Sequence, residues 1–161
     1  YEIRLVLMKF LVDQMLGTLA TWLRLCGFDT FYANQEISDD ELLIRAEHDD
    51  RTLITRDKEL HIRAKKKRIP TLYISSIKLD EQLSLVFESY PELKKEIYPL
   101  SRCSLCNTSI MPIGKEYVKE KVPEHVYQTC YKFWLCPHCK KFYWNGSHYE
   151  KIIKKIESFT S

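Results

Sequence analysis

Nowhere does this 161-residue sequence run to the roughly eighteen consecutive apolar residues that a membrane-spanning helix needs. Its opening segment, Tyr1 to Leu11, mixes Glu2, Arg4 and Lys9 into the apolar residues, which suits neither a signal peptide nor a membrane anchor. Internal repeats and low-complexity tracts are also missing, and with 45% hydrophobic residues the chain is not a disordered tail. The expectation is a soluble, cytoplasmic protein with no membrane partner. An excess of one sign of charge is also missing, with 25 Lys and Arg against 22 Asp and Glu. A net charge of +3 is too small to establish a nucleic-acid partner, so distribution matters more than total. Residues 1–100 carry 15 Lys and Arg against 17 Asp and Glu, whereas residues 101–161 carry 10 against 5.

Cysteine is almost absent from the first hundred residues, where Cys26 stands alone, and is concentrated beyond Pro99. That shift places a boundary at 99–102, with a first domain over 8–98 and a second over 99–161. Residues 1–7, ahead of Met8, are read as an N-terminal extension. In the first domain, Lys9 to Val12 is a short apolar run. Leu16, Leu19, Ala20 and Leu23 then follow helical spacing up to Gly27, a C-cap. Phe28 to Ala33, Thr52 to Thr55 and Thr71 to Ile74 are further strands. Between and after them lie a helix opened by the capping box Ser38 and Glu41, a helix through Leu60, Ile62 and Ala64, and a helix through Leu83, Val86 and Phe87. Strands alternating with helices predict an α/β fold with a parallel sheet flanked by helices.

Cys103-Ser-Leu-Cys106 and Cys136-Pro-His-Cys139 are two Cys-x-x-Cys pairs separated by 29 residues. Each pair folds into a tight knuckle that points two thiolates at one centre, and two knuckles complete the tetrahedral shell of a structural Zn2+. Disulfides and redox-active pairs are the alternatives. A reducing cytoplasm disfavours the first and the doubled motif the second. Ile110 to Met111, Tyr117 to Val118, Lys132 to Leu135 and Lys141 to Trp144 read as the strands of a β-rich zinc ribbon. Four thiolates around one Zn2+ add a net −2, which tempers the basic excess of this region. His138 lies inside the second knuckle and is not counted as a ligand; Cys26 and Cys130 read as small buried hydrophobes. Ser147 with Glu150 repeats the capping-box pattern and opens a C-terminal helix carrying Ile152, Ile153 and Ile156. His148 in the preceding turn stays a weak functional candidate.

Asp13 and Asp57 each stand at the C-terminal end of a strand, the edge where open parallel sheets place their sites. Asp39 and Asp40 open the second helix, where a carboxylate either caps backbone N–H groups or turns toward the same edge. Several carboxylates on one edge repel unless a hard cation sits among them, and Mg2+ or Mn2+ suits such oxygen ligands. The flank of Arg51, Arg56, Lys58, Arg63, Lys65, Lys66, Lys67 and Arg68 offers charge for approaching phosphates, with a solvated helix face as the alternative for Lys65 to Arg68.

Four stretches of the sequence together resemble the Mut-seven C-terminal family, PIN-like ribonuclease domains joined to a zinc ribbon. They are Phe10-Leu-Val-Asp13-Gln-Met-Leu-Gly17-Thr-Leu-Ala20-Thr-Trp-Leu-Arg24-Leu-Cys-Gly27, Asp39-Asp-Glu-Leu-Leu-Ile-Arg-Ala46, Thr55-Arg-Asp57-Lys-Glu-Leu60, and the two knuckles with Tyr143-Trp-Asn-Gly-Ser-His148. The resemblance runs from Met8 to about Ile153. It implies a PIN-like fold and a metal-dependent endoribonuclease. By position, Asp13, Asp39 and Asp57 would be its catalytic acids, with Asp40 an additional candidate, holding Mg2+ or Mn2+. The order of domains is also similar to that of nucleases that mature the 3′ end of small-subunit ribosomal RNA. PIN domains commonly supply a fourth acid after a later strand; Ser75 and Ser76 occupy that place here.

The reading that follows is a hydrolase acting on RNA, with ribosomal or transfer RNA as candidate partners and ribosome association in view. Asp13, Asp39 and Asp57 hold one or two divalent ions, while Arg56, Lys58 and Arg24 bind substrate. The ribbon positions RNA or a protein partner. Its aromatics Tyr127, Tyr131, Phe133, Trp134, Phe142 and Trp144 are read mainly as the ribbon's own core, with base stacking as the alternative. The rival reading is a non-catalytic RNA-binding or ribosome-associated protein that keeps the PIN-like scaffold as a docking surface.

Overall fold

A computed structural model describes residues 7–33 and 36–161. The extension expected over 1–7 lies, apart from Leu7, outside the described residues. Four parallel strands form the main sheet: β1 (Phe10–Val12), β2 (Thr30–Tyr32), β3 (Thr52–Thr55) and β4 (Thr71–Tyr73), in the spatial order β2-β1-β3-β4. The inner strands β1 and β3 are buried along their whole length, which explains why Phe10-Leu-Val12 and the adjacent Leu53 and Ile54 are apolar on both faces where a half-solvated strand would alternate.

Successive residues of the inner strands serve two cores. Phe10, Val12 and Ile54 pack with α1 (Gly17–Leu25) and α4 (Leu79–Ser89) on one face. Leu11 and Leu53 pack with α2 (Asp39–His48) and α3 (Lys58–Lys66) on the other. Each such fully buried Leu, Ile or Phe contributes on the order of 1.5–3 kcal/mol relative to exposure. The connection leaving β1 runs outward to β2, whereas those leaving β2 and β3 run the opposite way. The C-terminal ends of β1 and β3 therefore bound the crevice where a doubly wound sheet opens.

Local signals behave as read at most element ends. Ser38 caps α2 in a complete capping box with Glu41. Gly27 closes α1 at φ +95°, and a Cβ there would come within 2.6 Å of the Tyr98 carbonyl oxygen, so glycine is required both by conformation and by the passing chain.

Past that crossing, β5 (Met111–Ile113), β6 (Phe133–Leu135) and β7 (Phe142–Trp144) form an antiparallel sheet in the order β5-β6-β7. The strand expected at Tyr117 to Val118 is instead a 3₁₀ turn over Lys115–Tyr117, which sinks Val118 into a small core with Phe133 and with Val126 of α5 (Glu124–Thr129). The capping box expected at Ser147 does not form either. Helix α6 (Ser147–Thr160) already includes Ser147, Gly146 takes the N-cap, and Glu150 N bonds the Gly146 carbonyl. Ile152 and Ile156 of α6 return to the first core beside Leu83 and Val86, so the last helix packs on the α/β unit.

The ribbon meets the α/β unit at the N-terminal edge of the sheet. Asn107 accepts from Thr30 N at 2.9 Å through Oδ1 and donates to Asp29 Oδ1 at 2.7 Å through Nδ2. Arg51, just ahead of β3, donates to the same Asp29 oxygen at 2.8 Å and to the Phe10 carbonyl at 3.2 Å. One polar network thus ties the ribbon to the starts of β1, β2 and β3.

Candidate active site and zinc cluster

Among the described residues, Cys103, Cys106, Cys136 and Cys139 are the one group of three or more His, Cys, Asp or Glu whose ligand atoms all lie within 4.8 Å of one another. Cys103 and Cys139 Sγ are 3.5 Å apart, and Cys106 and Cys136 Sγ 3.4 Å. A tetrahedron with Zn–S bonds of about 2.3 Å has sulfur–sulfur edges of roughly 3.8 Å. The cluster therefore can hold one zinc ion. All six cysteines are free, so neither knuckle is a disulfide. The surroundings suit thiolates: Tyr143 Oη donates to Cys103 Sγ at 3.0 Å, and Cys139 N approaches Cys136 Sγ at 3.5 Å. Four sulfurs leave no open position for water or substrate, which makes the site structural.

At the opposite edge of the sheet, Asp13, Asp39 and Asp57 line one small cleft of about 80 Å³, with Ala33 and Leu42 behind them. Asp13 follows β1, is buried, and accepts from Met15 N at 3.0 Å. Its other oxygen accepts from Thr55 Oγ1 at 2.6 Å. The same hydroxyl oxygen accepts from Asp57 N at 2.9 Å, and Asp57 Oδ1 caps α3 by accepting from Leu60 N at 3.1 Å. Gly17 leaves room for Tyr32, whose hydroxyl donates to the Gln14 carbonyl at 2.8 Å and pins the turn beside Asp13. Ser38 takes the capping role at α2, which frees Asp39 to face the cleft.

The three carboxylates share a cleft without converging on a point, since their oxygens are not all within 4.8 Å of one another. Asp39 is exposed and lies 3.6 Å from Arg63 Nη1; Asp40, on the outer side of the same turn, is bonded to Arg63 Nη2. Mg2+ ordinarily keeps several of its waters, so a donor set of this spacing suits an ion held partly through water.

Arg56 and Lys58 flank Asp57 as read. Arg56 Nη2 reaches the Ser75 carbonyl at 3.5 Å, its Nε is buried without a partner, and Lys58, exposed, opens α3. Where a fourth acid was looked for, Ser76 is hydrogen-bonded to Glu81 of α4.

Two expectations are corrected by geometry. Arg24 is buried at the other edge, donating to the Thr30 carbonyl at 2.9 Å and, across the ribbon contact, to the Ser104 and Leu105 carbonyls at 3.3 and 3.1 Å. Burial lowers its pKa, opposed by the nearby Cys106 and Cys103 sulfurs, so its cation faces the zinc cluster and not the cleft. The basic flank does not surround Asp57 either. Helix α3 carries the chain from the acidic edge to the far edge, taking Lys65 to Arg68 with it, and Arg51 is held by Asp29. Thr55, which hydrogen-bonds both the Asp13 carboxylate and the Asp57 backbone, carries no function in the reading from sequence. Its only signal is a β-branched hydroxyl residue ending a strand two places before an acid.

A family model described as the Mut7-C RNAse domain matches residues 8–156. No curated protein and no solved structure gives a match. Among the described residues, no helix is long and apolar enough to cross a membrane.

Proposed function

The chain belongs to the Mut7-C RNAse domain family, and on that premise we propose that it is a metal-dependent endoribonuclease that hydrolyses RNA at the Asp13, Asp39 and Asp57 cleft. The observation that carries this reading is the meeting of three carboxylates in one recess at the switch point of a parallel sheet. Asp13 and Asp57, linked through Thr55, are the residues to hold Mg2+ or Mn2+, with Asp39 completing the set and Asp40 too far out on Arg63 to join it. The chemistry that Mg2+ or Mn2+ would supply to these carboxylates when bound is activation of a water and neutralisation of charge on the attacked phosphate.

Lys58 supports the reading from its position. A cation in the first turn of a helix gains nothing from the macrodipole, so its placement beside Asp57 serves an anion approaching the cleft. Arg56, half-buried next to Asp57 with its Nη2 end exposed beside the Ser75 carbonyl, is the second group to receive phosphate. The zinc cluster holds the ribbon in shape, as a reducing cytoplasm permits. Ribosomal and transfer RNAs are the candidate substrates, and the ribosome is a candidate partner.

A second reading, an RNA-binding protein without cleavage, is favoured by the partners the carboxylates already have in Met15 N, Thr55, Leu60 N and Arg63. One experiment separates the two. Purified zinc-loaded protein is incubated with structured RNA in Mn2+, alongside Asp13→Asn and Asp57→Asn. Cleavage by the parent and loss in both folded variants is the expected result. Cleavage unchanged in both variants removes the assignment of the cleft, and salt-sensitive binding with no cleavage in Mg2+ or Mn2+ selects the second reading.

A further inference from the structure

A second recess, of about 190 Å³, lies on the other edge of the molecule, where the ribbon meets α1 and α6. Leu25 of α1 and Leu100 of the connecting segment form its apolar back, Tyr143 and Tyr149 supply aromatic walls, and Trp144 borders it while its ring packs on the ribbon's other core with Phe133 and Cys130. The ribbon's zinc cluster stands behind it, because the Tyr143 hydroxyl bonds both Cys103 Sγ and Ser104 N, at 3.0 and 3.1 Å. Polar groups are few: the exposed His148 ring and the exposed Lys141 at the rim, and behind them the buried Ser104, whose hydroxyl lies 3.4 Å from the Tyr143 hydroxyl. None of these residues takes part in the acidic cleft.

Size and chemistry narrow the occupant. Pockets for cofactors and drug-sized ligands run to about 300–1,000 Å³, so this one admits a single small ring system. Aromatic walls with a few hydrogen-bonding groups at the edge match an unstacked base, whose face stacks while its edge is read. Lys141 at the rim meets the phosphate that a base carries with it, and most of the lining belongs to residues 101–161, the segment that holds the basic excess. We propose that this recess is a second RNA subsite, taking one unpaired nucleobase on the sheet edge opposite the acidic cleft. The proposal rests on RNA as the substrate. It adds that the enzyme prefers RNA with a single-stranded segment remote from the scissile bond.

The test uses the full zinc-loaded chain carrying Asp13→Asn, titrated by anisotropy against a labelled single-stranded RNA of about ten nucleotides and a blunt duplex of equal length. Tyr149→Ala is expected to weaken single-strand binding by about tenfold or more while duplex binding changes little. Lys141→Ala and His148→Ala, both at exposed positions where folding is not at stake, are expected to weaken it by about threefold or more each. Zinc content and circular dichroism verify each variant. In the chain with Asp13 intact, the same substitutions should raise KM for a single-strand-tailed RNA more than they change kcat. If the parent cleaves RNA and all three variants keep their single-strand affinity and KM, the subsite falls alone. If the parent neither cleaves nor binds, the subsite and the ribonuclease reading fall together.

Discussion

Thr55 donates its hydroxyl hydrogen to Asp13 Oδ2 at 2.6 Å and accepts from Asp57 N at 2.9 Å on the same oxygen, so one buried side chain sets the spacing of two cleft acids. The arrangement needs parallel neighbours in register. Val12 of β1 pairs with Ile54 of β3, which brings the next residue of each strand, Asp13 and Thr55, side by side at the crevice. A hydroxyl is the one small group that serves both carboxylate and amide at that point.

Thr55→Val keeps the shape and removes both hydrogen bonds. With Asp13 Oδ2 and Asp57 N left short of a partner in a buried setting, a loss of about 1–3 kcal/mol in urea unfolding is expected. Single-turnover cleavage should fall by about a hundredfold as the acids lose their spacing, and Thr55→Ser should restore most of both. Full activity in the Val variant would show that the spacing does not matter.

What could be read in the chain follows how local each signal is. The four cysteines were legible because a knuckle is encoded within four residues, and the strand-end acids because apolar runs stop where the strands stop. Arg24 was misread because its partners, Ser104 and Leu105, lie about 80 residues away and leave no mark near it. Asp29 and Asn107 were missed for the same reason. The basic flank of Asp57 looked continuous along the chain, yet α3 spans the sheet and separates its two ends. Ile152 and Ile156 gave the helical period of α6 but not the partner it packs against.

Metal removal should act on the ribbon first. One zinc per chain is expected by elemental analysis, and a strong chelator should abolish the near-ultraviolet dichroism contributed by Tyr143 and Trp134, which pack on the cysteine cluster. Much of the far-ultraviolet signal should remain, because the two cores of the α/β unit contain none of the four cysteines. A zinc-free protein with unchanged near-ultraviolet spectrum would refute the structural role.

Arg24→Ala is expected to cost about 3 kcal/mol, since it strips a charged donor from the buried Thr30 and Ser104 carbonyls and the half-buried Leu105 carbonyl, and a cation from beside the thiolates. Arg24→Lys should not restore the loss, because an ammonium on a single stem does not reach both sides of the ribbon contact as the planar fork does. Under conditions where the variant stays folded, cleavage should be close to that of the parent. A rise in KM with unaltered stability would return Arg24 to substrate binding.

Acid should loosen the same contact through Asp29. Burial alone would raise the pKa of this carboxyl, but hydrogen bonds from Arg51 and Asn107, with the Arg51 charge, hold it below the ordinary value of 3.8. A depressed folded pKa means that the stabilisation is complete above the unfolded value and disappears as pH falls through the folded one. At neutral pH, Asp29→Asn should therefore cost about 2 kcal/mol, as Arg51 and Asn107 lose a charged acceptor. The gap between parent and variant should narrow as pH falls below the unfolded value and close once pH has passed the folded one, where both carry a neutral side chain. Urea unfolding across that range measures it directly. A gap that stays constant with pH would mean that the charge of Asp29 contributes nothing to holding the ribbon against the sheet.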